Sequence, residues 1–464
     1  MVIWSNFMQS LSYARFASSA NEIKKGFGMT QENTAAPEFD YGLFSYDSKE
    51  QMLEKSKEFW NPGKTQFWID SGVPLVIDRR EEYFIYDMSG KRLIDAHLNG
   101  GTYNLGHRNP EVVQAVTMAM QHFDIGNHHF PSLARTALAE ALIKSAPAGL
   151  SKVIYGSGGG EAIDIALKTA RHATQKRKIV SIIKAYHGHT GLAVGTGDDR
   201  FSKLFLSDRP EEFPHVPFND LEAMEDALRD RDVAAVIMET IPATYGFPLP
   251  NPGYLEAVKK LCEKYDALYI ADEVQTGLMR TGELWGITKH GITPDILVTG
   301  KGISGGLYPI AAVLATEKAA GWLNEDGFGH ISTFGGAELG CIAALKTLEV
   351  CSREETRSMV HYIADYVGQR LAAIQATYPD WFVGIRQNGV ILGLEFAHPQ
   401  GAKYVMRHLY ENGVWAIFST LDPRVLQYKP GILLKPEVAE EMLDRTELAI
   451  GKAYSEVRNE RRSA

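Results

Sequence analysis

The chain has 464 residues, 45% of them hydrophobic, more than one ordinary domain holds and enough to bury a large core across at least two. A formal charge of -9 without any long basic run argues against binding nucleic acid and leaves small molecules as the expected partners. Three cysteines, Cys262, Cys341 and Cys351, are too few and too unevenly spaced for a disulfide scaffold and form no metal pair. No apolar run approaches the roughly 20 residues of a membrane span, so a cytoplasmic protein without metal or membrane contact is expected. The opening stretch lacks the basic-then-apolar order of a secretory signal. Its mixture of Arg15, Ser18, Ser19, Lys24 and Lys25 reads as a mobile arm, with an organelle presequence as the alternative.

From about Lys152 to Ala315 short apolar runs alternate with longer amphipathic stretches, the signature of βαβ units and a mainly parallel sheet. The predicted strands are Val153 to Tyr155, Ile179 to Ile183, Val233 to Met238, Ala267 to Ala271, Ile296 to Thr299 and Ala311 to Ala315. Most are apolar throughout, as strands covered on both faces must be. Between them, Ala162, Ile163, Ala166, Leu167 and Ala170 repeat at helical spacing over Glu161 to Arg171, and Leu255 to Tyr265 repeats the pattern. After about Leu345 a long helix is predicted, followed by strand-like segments Gly389 to Glu395 and Gly413 to Phe418 that suggest a smaller C-terminal domain.

Three motifs carry chemistry. Gly156-Ser157-Gly158-Gly159-Gly160-Glu161 lies between a strand and a helix, where glycines let backbone N–H groups and a helix N-terminus approach an anion. A dinucleotide fold would require an acidic residue at the end of the next strand, and that strand ends Ile182-Ile183-Lys184. A monophosphate therefore suits the loop better, a purely structural glycine turn being the plainer alternative. Asp272 follows an apolar strand and so stands at the sheet edge where parallel folds build sites. It could hold a pyridinium nitrogen protonated, or simply cap the next helix. Lys301, in Gly300-Lys301-Gly302, also follows an apolar strand. Its amine could form a Schiff base if burial kept it neutral, whereas in isolation it reads as an exposed turn lysine.

Taken together, Asp272-Glu273-Val274-Gln275-Thr276-Gly277-Leu278-Met279-Arg280-Thr281-Gly282, Pro294-Asp295-Ile296 and Gly300-Lys301-Gly302 resemble the class III aminotransferases of fold type I, with a match running from about Leu93 to the C-terminus. The resemblance implies an α/β fold with a mainly parallel seven-stranded sheet and a smaller α+β domain. The expected division is an N-terminal arm and segment over 1–90, a large domain over 91–345 and a small one over 346–464. It also implies pyridoxal 5′-phosphate (PLP) bound covalently to Lys301. Asp272 would face the ring nitrogen, Gln275 the ring hydroxyl, Gly159 and Gly160 the phosphate, and Tyr186 the ring face. His187 and Glu239 would complete the cofactor site. Thr333, in Ser332-Thr333-Phe334-Gly335-Gly336, would reach the phosphate of a neighbouring subunit, so a homodimer, or a dimer of dimers, with shared sites is expected.

The chain departs from the family pattern at His189 and Thr244, where arginine and a gating glutamate are common, and at Gln427, where an arginine often grips a substrate carboxylate. Hydroxyl residues are also commoner than Gly158 and Gly160 in the phosphate loop. An amide does not match a carboxylate as a guanidinium fork does. Lys429 or Arg424 could replace that arginine, or each could be an ordinary loop charge. Tyr103 and His129 are further candidate substrate contacts. The expected reaction is ping-pong transfer of an amino group from an amine or amino acid to an oxo acid or aldehyde. Racemisation, aminomutation or phospho-elimination on the same scaffold is the alternative, and a donor lacking an α-carboxylate follows from Gln427 and His189.

Overall fold

Six apolar runs at the centre of the chain, together with the two-residue strand His215–Val216, pair into one sheet. In the computed structural model, which describes residues 45–463, the chain from Lys55 onward forms one compact unit. The expected arm over the first residues lies outside the described residues. The strands are β1 (Ile77–Glu81), β2 (Phe84–Asp87), β3 (Arg92–Asp95), β4 (Leu150–Gly156), β5 (Lys178–Ile182), β6 (His215–Val216), β7 (Val233–Glu239) and β8 (Leu268–Asp272). They continue with β9 (Ile296–Thr299), β10 (Ala311–Thr316), β11 (Phe382–Asn388), β12 (Ile391–Phe396), β13 (Val414–Trp415), β14 (Ile417–Ser419) and β15 (Asp422–Tyr428).

The central sheet has the order β4-β10-β9-β8-β7-β5-β6. β10 runs antiparallel to both its neighbours, and the pairs from β9 through β6 are parallel. Every residue of β7, β8 and β9 is buried, which a sheet sandwiched between helix layers requires. The helix Gly159–Thr174 lays Ala162, Ile163, Ala166, Leu167 and Ala170 into the cluster formed with Ile237, Ile270 and Val298, and stops at a left-handed Gln175. Burying Ile163 and Leu167 contributes about 1.5–3 kcal/mol each.

The C-terminal stretch holds the antiparallel sheet β11-β12-β15-β14 beside the helices Glu354–Thr377, Gly401–Glu411 and Pro436–Ser463. Two expectations change here. The single long helix is two, Glu338–Cys351 and Glu354–Thr377. The strand expected over Gly413 to Phe418 is split at Ala416: β13 joins β3 in a third sheet, β1-β2-β3-β13, while β14 pairs with β15. Among the described residues no helix is long and apolar enough to cross a membrane.

Candidate active site

Parallel strands end on one edge of the sheet, and this chain sets its unusual charges there. Glu239 closes β7 and Asp272 closes β8, directly opposite each other in register. Both are buried. Asp272 Oδ2 is 2.7 Å from His187 Nδ1, and Oδ1 accepts the Val274 N–H at 3.0 Å. The far nitrogen of His187 lies 3.3 Å from Ser181 Oγ, so the imidazole is held from both sides. Glu239 accepts backbone N–H groups from Tyr186 at 3.1 Å and Ala243 at 3.0 Å. Burial nevertheless pushes its carboxyl up to about 7; His187 opposes the shift and Asp272 adds to it.

Facing these acids is the start of the helix Gly159–Thr174, whose cap residue Gly158 makes no side-chain hydrogen bond to it. Its first N–H groups therefore depend on other acceptors. Small residues let the chain close around this end. A Cβ on Gly188, whose φ is +111°, would lie 2.7 Å from Gly160 Cα, and one on Gly300 would meet Val274 at 3.4 Å and Gly159 at 3.6 Å. Lys301 follows with a φ of 43°. Burial holds its amine below the usual lysine range, with Asp272 and Glu239 opposing. A lowered lysine is more often neutral, and only the neutral amine is nucleophilic.

Gly159, Gly160, Tyr186, His187, Glu239, Asp272, Gln275 and Lys301 thus line one cavity of about 180 Å³, together with Val274. Gln275 Oε1 is buried there without a hydrogen-bond partner. Tyr186 packs with His189 and Phe201, its ring 5.2 and 5.8 Å from theirs. Tyr103 instead lines a neighbouring cavity of about 770 Å³ with His97, Asn99 and Trp415. Thr333 is exposed and lies on neither wall, and His129 is exposed too. Gln427 is buried, its amide donating to Ala243 O at 3.3 Å. Lys429 is no loop charge: it is fully buried and donates to Gln427 Oε1 at 2.6 Å. Arg424, half-exposed, pairs with Asp422 and Glu395. Two features escaped the sequence reading. Val274 wedges between Gly159 and Gly300, a position hinted at only by its place two residues after Asp272. Arg280, inside a motif noted for its pattern, is fully buried.

The sequence model of the class-III aminotransferase family matches residues 69–450. The chain is a class III aminotransferase. It is 41% identical over 393 residues to an uncharacterized aminotransferase of Archaeoglobus fulgidus, covering 85% of this chain and 92% of that relative. Its fold is similar to that of an ornithine aminotransferase from Toxoplasma gondii ME49, with a TM-score of 0.81 at 25% identity over 89% of this chain and 97% of the other. An N-acetylornithine aminotransferase from Stenotrophomonas maltophilia K279a gives a TM-score of 0.71 at 25% identity, over 83% and 98% of the two chains. The aminotransferase uses PLP, as its class does, and the smaller cavity suits that group. A phosphate needs free N–H donors, a pyridine nitrogen a buried carboxylate, a ring hydroxyl a polar partner and an aldehyde an amine. The helix end at Gly158, the Asp272 carboxylate, the unpartnered Gln275 Oε1 and the Lys301 amine offer these four.

Proposed function

We propose that in this aminotransferase Lys301 Nζ would hold PLP and that the same amine would carry a proton away from the donor carbon. The observation that carries this reading is the convergence of a buried lysine and a buried, histidine-held aspartate on the wall of one small cavity. When bound, the cofactor supplies an electron sink and takes up and gives back the amino group. Asp272 keeps the ring nitrogen protonated, and His187 fixes the carboxylate that does so. The N–H groups of Gly159 and Gly160 receive the phosphate. Tyr186 covers the ring, Gln275 meets the ring oxygen, and Glu239 holds the Tyr186 backbone in position. Thr333 of a second copy completes the phosphate site, so the active unit is a homodimer.

We read the larger cavity beside Tyr103 as the place where the donor enters. With Gln427 already committed to Ala243 and Lys429, and a histidine at 189, the donor is an amine or amino acid gripped otherwise than by an arginine at position 427. Residues 91–345 serve as the cofactor domain, 346–464 as the small domain, and the segment before them packs on the latter, as the ring contacts of Phe67 with Phe418 and of Trp68 with Trp415 support. Three buried free thiols favour a reducing cytoplasm. In Lys301→Ala, turnover should fall by at least roughly 10²–10⁴, the worth of a positioned acid–base group, and the protein-bound absorption band should vanish. Full activity in that variant defeats the reading. With donor alone, the wild type should convert its cofactor stoichiometrically to the amine form, which a racemase or lyase would not do.

A further inference from the structure

The larger cavity is walled by aromatic rings that the cofactor chemistry does not use. The helix Pro62–Asp70 contributes Phe67 and Trp68, and β13 and β14 contribute Trp415 and Phe418. The rings brace one another, Trp68 edge-on to Trp415 at 5.4 Å and Phe67 tilted against Phe418 at 6.1 Å. Ile77 and Ile417 extend the same wall. All six side chains keep part of their surface open, facing a space of about 770 Å³. Large apolar groups left open in a concave space favour an apolar occupant, because covering them removes their surface from water.

The exposed charges around this cavity all carry one sign. Lys64, Arg80 and Arg200 are exposed, and Lys403 is partly so. Among the described residues none of the four is in an ion pair. Lys64 and Lys403 stand over the rings of Trp60 and Phe418, 5.2 and 5.0 Å from their centres, and Arg200 donates to Thr420 O at 3.4 Å. The carboxylate on the wall, Asp95, is buried with both oxygens engaged. Its Oδ1 accepts N–H groups from His97 at 2.9 Å and Leu98 at 2.7 Å, while Oδ2 is 2.9 Å from His107 Nε2. A molecule in the mouth thus meets cations and no free carboxylate, an arrangement that repels an ammonium group there.

One wall of the cavity is next to the reacting amine. Asn99 lies on that wall, and an added Cβ at the following residue, Gly100, would be 3.3 Å from Lys301 Cε. His97 lies on it too, edge-on to Trp415 at 6.4 Å. Burial, and then the charges of Lys429 and Lys301, hold its imidazole well below the usual histidine range, so it adds no charge to the wall. We infer that the donor carries its amine on an apolar body, a long alkyl chain or an aryl group without a second ammonium, and that Phe67, Trp68, Trp415 and Phe418 hold that body and set the specificity. The inference rests on the reading above that the donor enters by this cavity.

Two homologous series test it on the full-length holoenzyme. The first is the kcat/KM of butylamine, hexylamine and octylamine at a saturating oxo acid, with hexamethylenediamine beside hexylamine. The second is calorimetric binding of the primary alcohols butanol, hexanol and octanol, which have no amine to react. Both should rise roughly threefold or more for each added methylene. Hexamethylenediamine should fall roughly tenfold or more below hexylamine. Phe67→Ala and Trp415→Ala should each flatten the dependence on chain length. Where Trp415→Ala does not fold, Phe67→Ala, at a side chain 39% exposed, decides. A flat wild-type series, a diamine equal to hexylamine, or an unchanged slope in Phe67→Ala overturns the inference. Where none of the amines is turned over, the alcohol series decides. Alcohols that bind with the expected slope yet leave hexylamine turnover uninhibited would instead show that the donor enters elsewhere. That outcome removes the reading on which the inference rests, and it is distinct from a flat series, which removes the inference alone.

Discussion

Asp272 and Glu239 stand side by side at the ends of adjacent strands, and His187 is held against the first of them. His187→Phe would leave Asp272 without its clamp. Loss of roughly 10–100-fold in cofactor affinity is expected, the usual cost of losing a partner that orients a functional group. An unchanged dissociation constant for PLP would count against this role. Glu239 gives a pH signature. Its carboxyl binds a proton more tightly in the fold, at about 7, than its ordinary value of 4.5. That contribution to stability is therefore complete below pH 4.5 and lost as pH rises through 7, a difference of up to about 3 kcal/mol. Glu239→Gln, which mimics the protonated form, should gain on the wild type by that order between pH 4.5 and 7 in urea unfolding of the cofactor-free protein. Parallel curves would contradict the placement. Asp272 and Lys301 were legible in the sequence because charged residues directly after apolar strands are chemically out of place. The charge on Lys429 gave no such sign: its segment, Tyr428-Lys429-Pro430-Gly431, reads as a turn, and only the tertiary fold buries it.

At the level of elements, the cofactor cradle depends on how closely a loop and a helix end approach. Gly188 sits in a backbone conformation only glycine adopts readily, with its missing Cβ pointed at Gly160. Gly188→Ala should destabilise the protein by about 2–4 kcal/mol, combining backbone strain and overpacking, and should weaken PLP binding with it. A variant with wild-type urea midpoint and affinity would show that the approach is not needed. The strands of the large sheet were readable because buried parallel strands are written as unbroken apolar runs. β6 escaped because two residues, His215 and Val216, carry no pattern. The strand over Gly413 to Phe418 was visible as one run, but its division between two sheets is set by partners far away in sequence, β3 and β15. The reversal of β10 likewise leaves no local trace.

At the scale of the molecule, the protein carries an exposed apolar region around Thr333. Phe130 and Leu133 are exposed on one segment, and Phe328, Ile331 and Phe334 on another. Arg135 ties the two together, donating to Asn127 O, Phe130 O and Gly336 O at 2.7 to 2.9 Å. Exposed apolar clusters of this kind mark association surfaces, and Thr333 lies within this one. Light scattering should give twice the 51.4 kDa chain mass. Mixing Lys301→Ala with Thr333→Ala should restore activity above the sum of the two, since one site per hybrid would be intact. A monomer active on its own would remove the basis for assigning Thr333 to a partner's site.

The central claim concerns a single amine. Reducing the holoenzyme with borohydride and mapping the labelled peptide should find the cofactor fixed on Lys301, in the peptide that contains Gly300 and Gly302. An adduct on any other lysine, or none at all, would contradict the account.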